Sequence, residues 1–329
     1  MKVAIFNVQP YEKDYLEEQA NDGKHALELI NEPLNEDTLQ KITNQSAISI
    51  TGETIDAEMA KKLKQKGVKM IAMRIAGLDR IDLKAMKKAG IKLANVPDYS
   101  PYAVAEHAVM LMQALNRKLI KAHSKVREYD FTLTDLVGFD MHGKTVGIIG
   151  MGKTGRVLAK ILHGFGCKIL CWNRSIKKEL TEKYGIHFCS LKKLCKESDI
   201  ISLHLPLSKE TEYIIDKNMI RHMKKGVILI NTARGKLVNI RDVIQGLVDE
   251  KIGALGIDVY ENEGGLFFHD HSNDILKDEI FARLLSFKNV LITGHMAFLT
   301  HEALKNIAAA TKYTLDCWEK GQVSMYEIE

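Results

Sequence analysis

Three residues of complementary chemistry each follow an apolar run. Arg234 comes directly after "VILINTA", Glu263 lies in "ENEGG" just past "ALGIDVY", and His295 follows "NVLITG". If these runs are parallel strands of one doubly wound sheet, their carboxyl ends open toward a single crevice, the usual ligand position in such sheets. A guanidinium, a carboxylate and an imidazole delivered there suit hydride transfer to a 2-oxo acid. Arg234 would pair with the substrate carboxylate and polarise the carbonyl beside it. His295, with an ordinary pKa of about 6.5, would hand a proton to the carbonyl oxygen as hydride reaches the carbon. Glu263 would orient His295 and favour its protonated form. On chemistry alone Glu261 is an equal candidate for that carboxylate. Each of the three, taken singly, also reads as an ordinary capping, solvated or satisfied side chain. Their convergence lifts them above that.

A second constellation lies earlier. Gly150, Gly152 and Gly155 form G-x-G-x-x-G between the apolar run "TVGII" and a segment whose Val157, Leu158, Ile161 and Leu162 share one helical face. That order, strand then tight turn then helix, is the dinucleotide-binding context, in which the first glycine makes the turn, the second admits a pyrophosphate and the third lets the helix pack closely. Free N–H groups at the helix start, around Lys153 and Thr154, supply the anion site. About 20 residues on, where a carboxylate ordinarily accepts the ribose hydroxyls, stand Asn173, Arg174 and Ser175. Asn173 accepts only one such bond well. Arg174, with Lys177 and Lys178 behind it, matches a 2′-phosphate in fork geometry. NAD(H) is therefore expected, with NADP(H) use open.

These residues need elements to position them. Short β-rich runs alternate with amphipathic stretches such as "DAEMAKKLKQKG", the pattern of parallel sheets with crossover helices. One series of strands is predicted at 2–8, 47–51, 69–75 and 92–96. A second is predicted at 145–150, 168–172, 199–205, 227–233, 254–260 and 289–294. Between them a long helix is expected from about Tyr102 through "HSKV", with Pro101 in its first turn. A final helix over "AFLTHEALKNIAAATKYTLDCWEKG" would run back to the first series. The predicted fold is α/β, with two Rossmann-like or flavodoxin-like domains of doubly wound parallel sheet and a cleft between them. The expected boundaries are 1–100 plus 297–329 for a discontinuous substrate domain and 101–296 for the dinucleotide domain.

The chain has 329 residues, 46% of them hydrophobic, enough for two cores, and a formal charge of +5 with the two signs interspersed. No single-sign block points to nucleic acid or a membrane surface. The N-terminal apolar run is too short for a signal core or a spanning helix, so a cytoplasmic protein is expected. Five scattered cysteines without C-x-x-C read as reduced packing thiols. The "HDH" at His269 to His271 reads as a charged loop, and no metal is expected.

Taken together, "RIAGLDRIDL", "NVPDYSPYAVAEHAV", "GKTVGIIGMGKTG", "DIISLHLPL", "NTARGKLV", "GIDVYENEGGLFF" and "GHMAFLTHEAL" resemble the D-isomer-specific 2-hydroxyacid dehydrogenases over essentially the whole chain, and most closely their fermentative D-lactate branch. The resemblance implies that backbone N–H groups near Ala76 and Gly77 hold the substrate carboxylate and that Tyr99 and Phe298 line the substrate pocket. It also implies that His204 and Asp258 lie beside the cofactor, together with Pro206, Thr232 and Ala233, and that Glu263 rather than Glu261 partners His295. The run "EGGLFFHDHSNDILKDEIFARLL" is similar to the longer loop of the lactate branch, and the end of the chain at Glu329 disfavours the phosphoglycerate branch. "CWNRS" departs toward NADPH-using glyoxylate and hydroxypyruvate reductases. A homodimer or homotetramer acting on a small 2-oxo acid is implied. Related substrates such as phenylpyruvate, glyoxylate or hydroxypyruvate remain alternatives, to be decided by Thr51, Tyr99 and Phe298. A dinucleotide-sensing corepressor, a non-enzyme of the same fold, is a further alternative.

Overall fold

The computed structural model describes every residue except Asp22, Lys177 and Glu329. The chain divides into two compact units, Met1–Ser100 with Leu299–Glu329, and Pro101–Phe298. Ala297 and Phe298 thus belong to the second unit.

In the first unit five parallel strands, β1 (Lys2–Ile5), β2 (Ala26–Leu29), β3 (Ala47–Ile50), β4 (Met70–Met73) and β5 (Lys92–Ala94), lie in the order β2-β1-β3-β4-β5. This is the flavodoxin-like order. Side chains alternate across the sheet as period two requires. Val3 and Ile5 face Leu16, Ala308 and Leu315, whereas Ala4, Phe6, Ile48 and Ile50 face Met59, Leu63 and Met86. The helix Pro10–Ala20 and the helix His301–Glu319 cover the first face. The latter starts where the Thr300 hydroxyl accepts the Ala303 N–H. The sequence pattern anticipates four strands here. The fifth, β2, alternates exposed and half-buried residues at a sheet edge, so its apolar signal is weak.

The second unit holds seven parallel strands, β6 (Thr145–Ile149), β7 (Lys168–Trp172), β8 (Ile186–Phe188), β9 (Ile200–Leu203), β10 (Val227–Asn231), β11 (Ile252–Ile257) and β12 (Val290–Ile292). Their order is β12-β11-β10-β9-β6-β7-β8, the Rossmann order with one added edge strand. Strands β9 and β10 are buried at every position, which is why they read as continuous apolar runs. Six strands are anticipated by the sequence. The unanticipated one is β8, three residues long and at an edge. The single long helix expected from Tyr102 is two, Pro101–Asn116 and Leu119–Arg127. The break is at Lys118, whose left-handed backbone (φ +50°) no glycine or proline announces. Among the described residues no helix is long and apolar enough to cross a membrane.

Candidate active site

The strand order of the second sheet reverses between β6 and β9, and the loops at the carboxyl ends of its strands carry the residues of interest. The glycine turn follows β6. Gly150 adopts φ +102°, and a Cβ there would stand 2.3 Å from the His204 carbonyl oxygen, so only glycine fits between the ends of β6 and β9. A Cβ on Gly155 would meet the Gly150 oxygen at 2.2 Å. At Gly152, by contrast, nothing lies within 4 Å of that position. This open cradle sits at the N-terminus of the twelve-residue helix Lys153–Gly164, which no side chain caps. On the neighbouring loop after β10, the Thr232 hydroxyl is buried with no hydrogen-bond partner. An open anion cradle and an unmet buried hydroxyl fit a dinucleotide.

Asn173 stands just past the end of β7. Its Oδ1 accepts the Met151 N–H at 3.0 Å and its Nδ2 donates to the Ser175 carbonyl at 2.8 Å, so the side chain ties the glycine turn to the end of β7. Arg174 is exposed. The nearby Glu210 carboxyl is held below its ordinary range, chiefly by the Ser208 hydroxyl and in smaller part by Arg174. Lys177 lies outside the described residues. His204 is half-buried, its Nε2 2.8 Å from the Ser202 hydroxyl, and burial pushes its imidazole down to about 4. Pro206 is exposed and Ala233 half-buried.

The loops after β11 and β12 bring Glu263 and His295 together, and the loop after β10, which carries Arg234, packs against the first of them. Asn231, fully buried at the end of β10, accepts the Ala233 N–H and donates to the Arg234 carbonyl at 2.8 Å, an Asx-type turn that sets the Arg234 backbone. Arg234 donates from Nη1 to the Ala233 carbonyl. Gly235 then packs so closely on the next loop that a Cβ would stand 2.2 Å from the Tyr260 carbonyl carbon. Beyond β11, Glu263 accepts the Tyr260 N–H through Oε2 and presents Oε1 to His295 Nδ1 at 3.0 Å. Glu261 turns away and accepts the Tyr213 hydroxyl. The His295 backbone is left-handed (φ +54°), an unusual state for a residue with a Cβ. Its ring lies 5.9 Å from that of Phe268, a neighbour the sequence did not single out. Because the carboxylate only accepts, Nδ1 carries the proton in this pair. That leaves Nε2 as the ring atom not engaged by Glu263.

Asp258, expected beside the cofactor, uses both oxygens to hold the loop after β12. Fully buried, it accepts the Thr293 hydroxyl and the Met296 N–H on Oδ1 and the Ala297 N–H on Oδ2. It serves the loop that carries His295. In the first unit, the Ala76 carbonyl accepts the Asn95 amide at 2.7 Å and the Tyr99 carbonyl accepts that of Asn306 at 2.7 Å. Gly77, Tyr99 and Phe298 are half-buried. His271 is engaged by Asp274 and the Gly265 carbonyl. Among the described residues, His25, Asp316 and Glu319 have ligand spacing. The Lys312 ammonium stands 2.8 Å from Asp316 and the terminal ammonium 2.7 Å from Glu319, so these carboxylates already hold cations.

Residues 109–297 match the family description "D-isomer specific 2-hydroxyacid dehydrogenase, NAD binding domain". The chain is 41% identical over 329 residues to a D-lactate dehydrogenase of Escherichia coli, covering 100% of both. The chain belongs to the D-isomer specific 2-hydroxyacid dehydrogenases. A 2-hydroxyacid dehydrogenase homolog of Zymomonas mobilis is 42% identical over 324 residues, 98% of each chain. The structure described as the pyruvate reductase of Chlamydomonas reinhardtii superposes with a TM-score of 0.91 at 39% identity, over 99% of this chain and 98% of that one. This dehydrogenase is an oxidoreductase of the family that interconverts 2-oxo acids and D-2-hydroxy acids, and it carries the family's NAD-binding domain.

Proposed function

We propose that this dehydrogenase reduces pyruvate to D-lactate, with NADH as the preferred cofactor and NADPH accepted. The observation that carries the reading is the His295–Glu263 pair at 3.0 Å, in a loop cluster that Gly235 draws together with Arg234. The names of the E. coli and Chlamydomonas relatives support this choice of substrate.

Arg234 holds the substrate carboxylate through its guanidinium fork. His295 gives the Nε2 proton to the carbonyl oxygen, and Glu263 keeps the ring oriented with Nδ1–H against Oε1. When bound, the nicotinamide cofactor supplies the hydride. Gly152, the N–H groups of Lys153 and Thr154, and the unmet Thr232 hydroxyl would hold its phosphates and polar edges, with Asn173 and Arg174 at the adenosine end. Ala76, Gly77, Tyr99 and Phe298 complete the proposal as substrate contacts.

We further propose a homodimer or homotetramer in the cytoplasm. Tyr129, Phe131, Leu133 and Val137, all in the segment after the helix Leu119–Arg127, are 69% to 84% exposed, an apolar arm suited to cover by a second copy. All five thiols are free, and burial pushes Cys171 and Cys195 up to about 12.

The test is the initial rate of absorbance loss at 340 nm with pyruvate, comparing NADH and NADPH at matched subsaturating concentrations, followed by chiral analysis of the product. D-Lactate with faster NADH turnover is expected. Turnover confined to phenylpyruvate, glyoxylate or hydroxypyruvate would replace the substrate assignment. A preference for NADPH would make Arg174 a working 2′-phosphate contact.

A further inference from the structure

The inward face of the helix Pro101–Asn116 is built from small and aliphatic residues, Ala105, Ala108, Leu111 and Met112, all fully buried. His107 interrupts this pattern with a side chain only 9% exposed. A buried imidazole requires partners. Its Nε2 lies 2.9 Å from the Thr293 hydroxyl and 3.5 Å from Asp258 Oδ1.

Proton counting fixes the direction of this chain. The Asp258 carboxylate only accepts, so the single hydroxyl proton of Thr293 goes to Oδ1. Thr293 must then accept from His107, which places a proton on Nε2. Burial holds the His107 imidazole below its ordinary range, against the opposing pull of Asp258. The neutral ring with Nε2–H meets both requirements.

Asp258 in turn grips the segment carrying His295 from both sides. Its side chain takes the Met296 and Ala297 N–H groups at 2.9 and 2.8 Å, and its backbone carbonyl takes the His295 N–H at 2.7 Å. The left-handed backbone of His295 costs of the order of 1–3 kcal/mol for a residue with a Cβ and persists only where surrounding bonds over-determine it. Those bonds converge on Asp258.

We infer that His107 is a positioning residue for His295, acting through Thr293 and Asp258 without touching the acid itself. This rests on the reading of His295 as the proton donor. The relay gives the loop after β12 a support from a different element, and a misplacement of about 1 Å at an acid costs of the order of 100-fold.

Three single variants and one double variant, with His295→Gln alongside, test it in the full-length protein. His107→Leu removes the donor and is expected to lower kcat about 10- to 100-fold. KM for pyruvate and the fluorescence-titrated Kd for NADH should stay near wild type. His107→Gln retains an N–H at the position of Nε2 and should restore most of the lost kcat, a rescue that a packing role would not give. Thr293→Val breaks the same relay in its middle, and the double variant His107→Leu/Thr293→Val should be no slower than the slower single one, since both remove one pathway.

Wild-type turnover in His107→Leu, a Gln variant as slow as Leu, or additive losses in the double variant would each overturn the inference. If His107→Leu does not fold, the near-isosteric Thr293→Val carries the test, and its turning over as fast as wild type would overturn it. Loss of turnover in His295→Gln together with unimpaired relay variants would sink the relay alone. Full turnover in His295→Gln would remove the acid assignment and the relay with it.

Discussion

The two units solve the same architectural problem and use the same end of their sheets in opposite ways. In the first, the carboxyl ends of β1, β3 and β4 are filled by Arg74, whose side chain is fully buried and donates to both Glu12 oxygens, the Ser49 hydroxyl and the Phe6 carbonyl. In the second, the corresponding strand ends carry an open glycine cradle, a buried hydroxyl without a partner and a His–Glu pair with one ring nitrogen not engaged by the carboxylate. The Arg74 guanidinium is met within its own unit, whereas the Thr232 hydroxyl is left for a ligand. The shared fold therefore does not itself assign chemistry. What distinguishes the Arg74 cluster from the loops after β6 and β10 is whether the buried polar groups are already satisfied.

The contrast breaks first at His295. His295→Gln should lower kcat with pyruvate by about 10²- to 10⁴-fold while NADH binding persists in fluorescence titration. Loss within a few-fold would make the second unit's strand ends a binding site and not a catalytic one.

The next largest effect belongs to the first unit and should appear in stability. Glu12→Ala leaves the Arg74 guanidinium buried without its carboxylate, a loss of about 3–5 kcal/mol. A lowered urea midpoint with unchanged NADH affinity would sharpen the division between a structural and a chemical strand end. An unchanged midpoint would show that water or another group reaches Arg74.

Acid sensitivity separates the units more finely. The folded protein keeps His204 neutral down to about pH 4, whereas the unfolded chain takes up the proton near 6.5. The resulting stability is complete above about pH 6.5 and is lost as pH falls toward 4, by up to about 3 kcal/mol. His204→Gln, which can still meet Ser202, should flatten the decline of the urea midpoint over that window. A slope identical to wild type would mean that His204 ionises in place.

The smallest effect is expected at Arg174. It is exposed and near Glu210, and surface pairs are worth about 0–1 kcal/mol. Arg174→Ala should leave KM for NADH almost unchanged and raise that for NADPH. An equal rise for both cofactors would place the side chain on the adenine.

Much of the site was legible in the primary structure. The glycine turn is a local signal, and Arg234 and His295 follow unmistakable apolar strands. Glu263 and Glu261 were not separable by chemistry, because both are carboxylates in one loop. The fold separates them by giving Glu261 to Tyr213 and Glu263 to His295. Asn173 read as a ribose contact because its position along the chain matches one. Only the fold shows that its Oδ1 also accepts the Met151 N–H and so fixes the glycine turn. Asn231 and Gly235 were visible in hindsight, as an Asx-turn former at a strand end and as a glycine directly after the arginine. The missed strands, β2 and β8, are short edges whose half-exposure erases the apolar pattern.

The sequence by itself determined the alternation of strand and helix, the glycine turn and the three residue types proposed to act on a 2-oxo acid. Those features depend on spacing within a few turns of chain, where backbone geometry fixes which side chains share a face. Only the tertiary structure decided which carboxylate meets His295, where Asp258 spends its oxygens and why a histidine interrupts the helix Pro101–Asn116. Each of those outcomes is a hydrogen bond between elements far apart in sequence. Its partner is set by how the loops pack, and not by anything the neighbouring residues can announce.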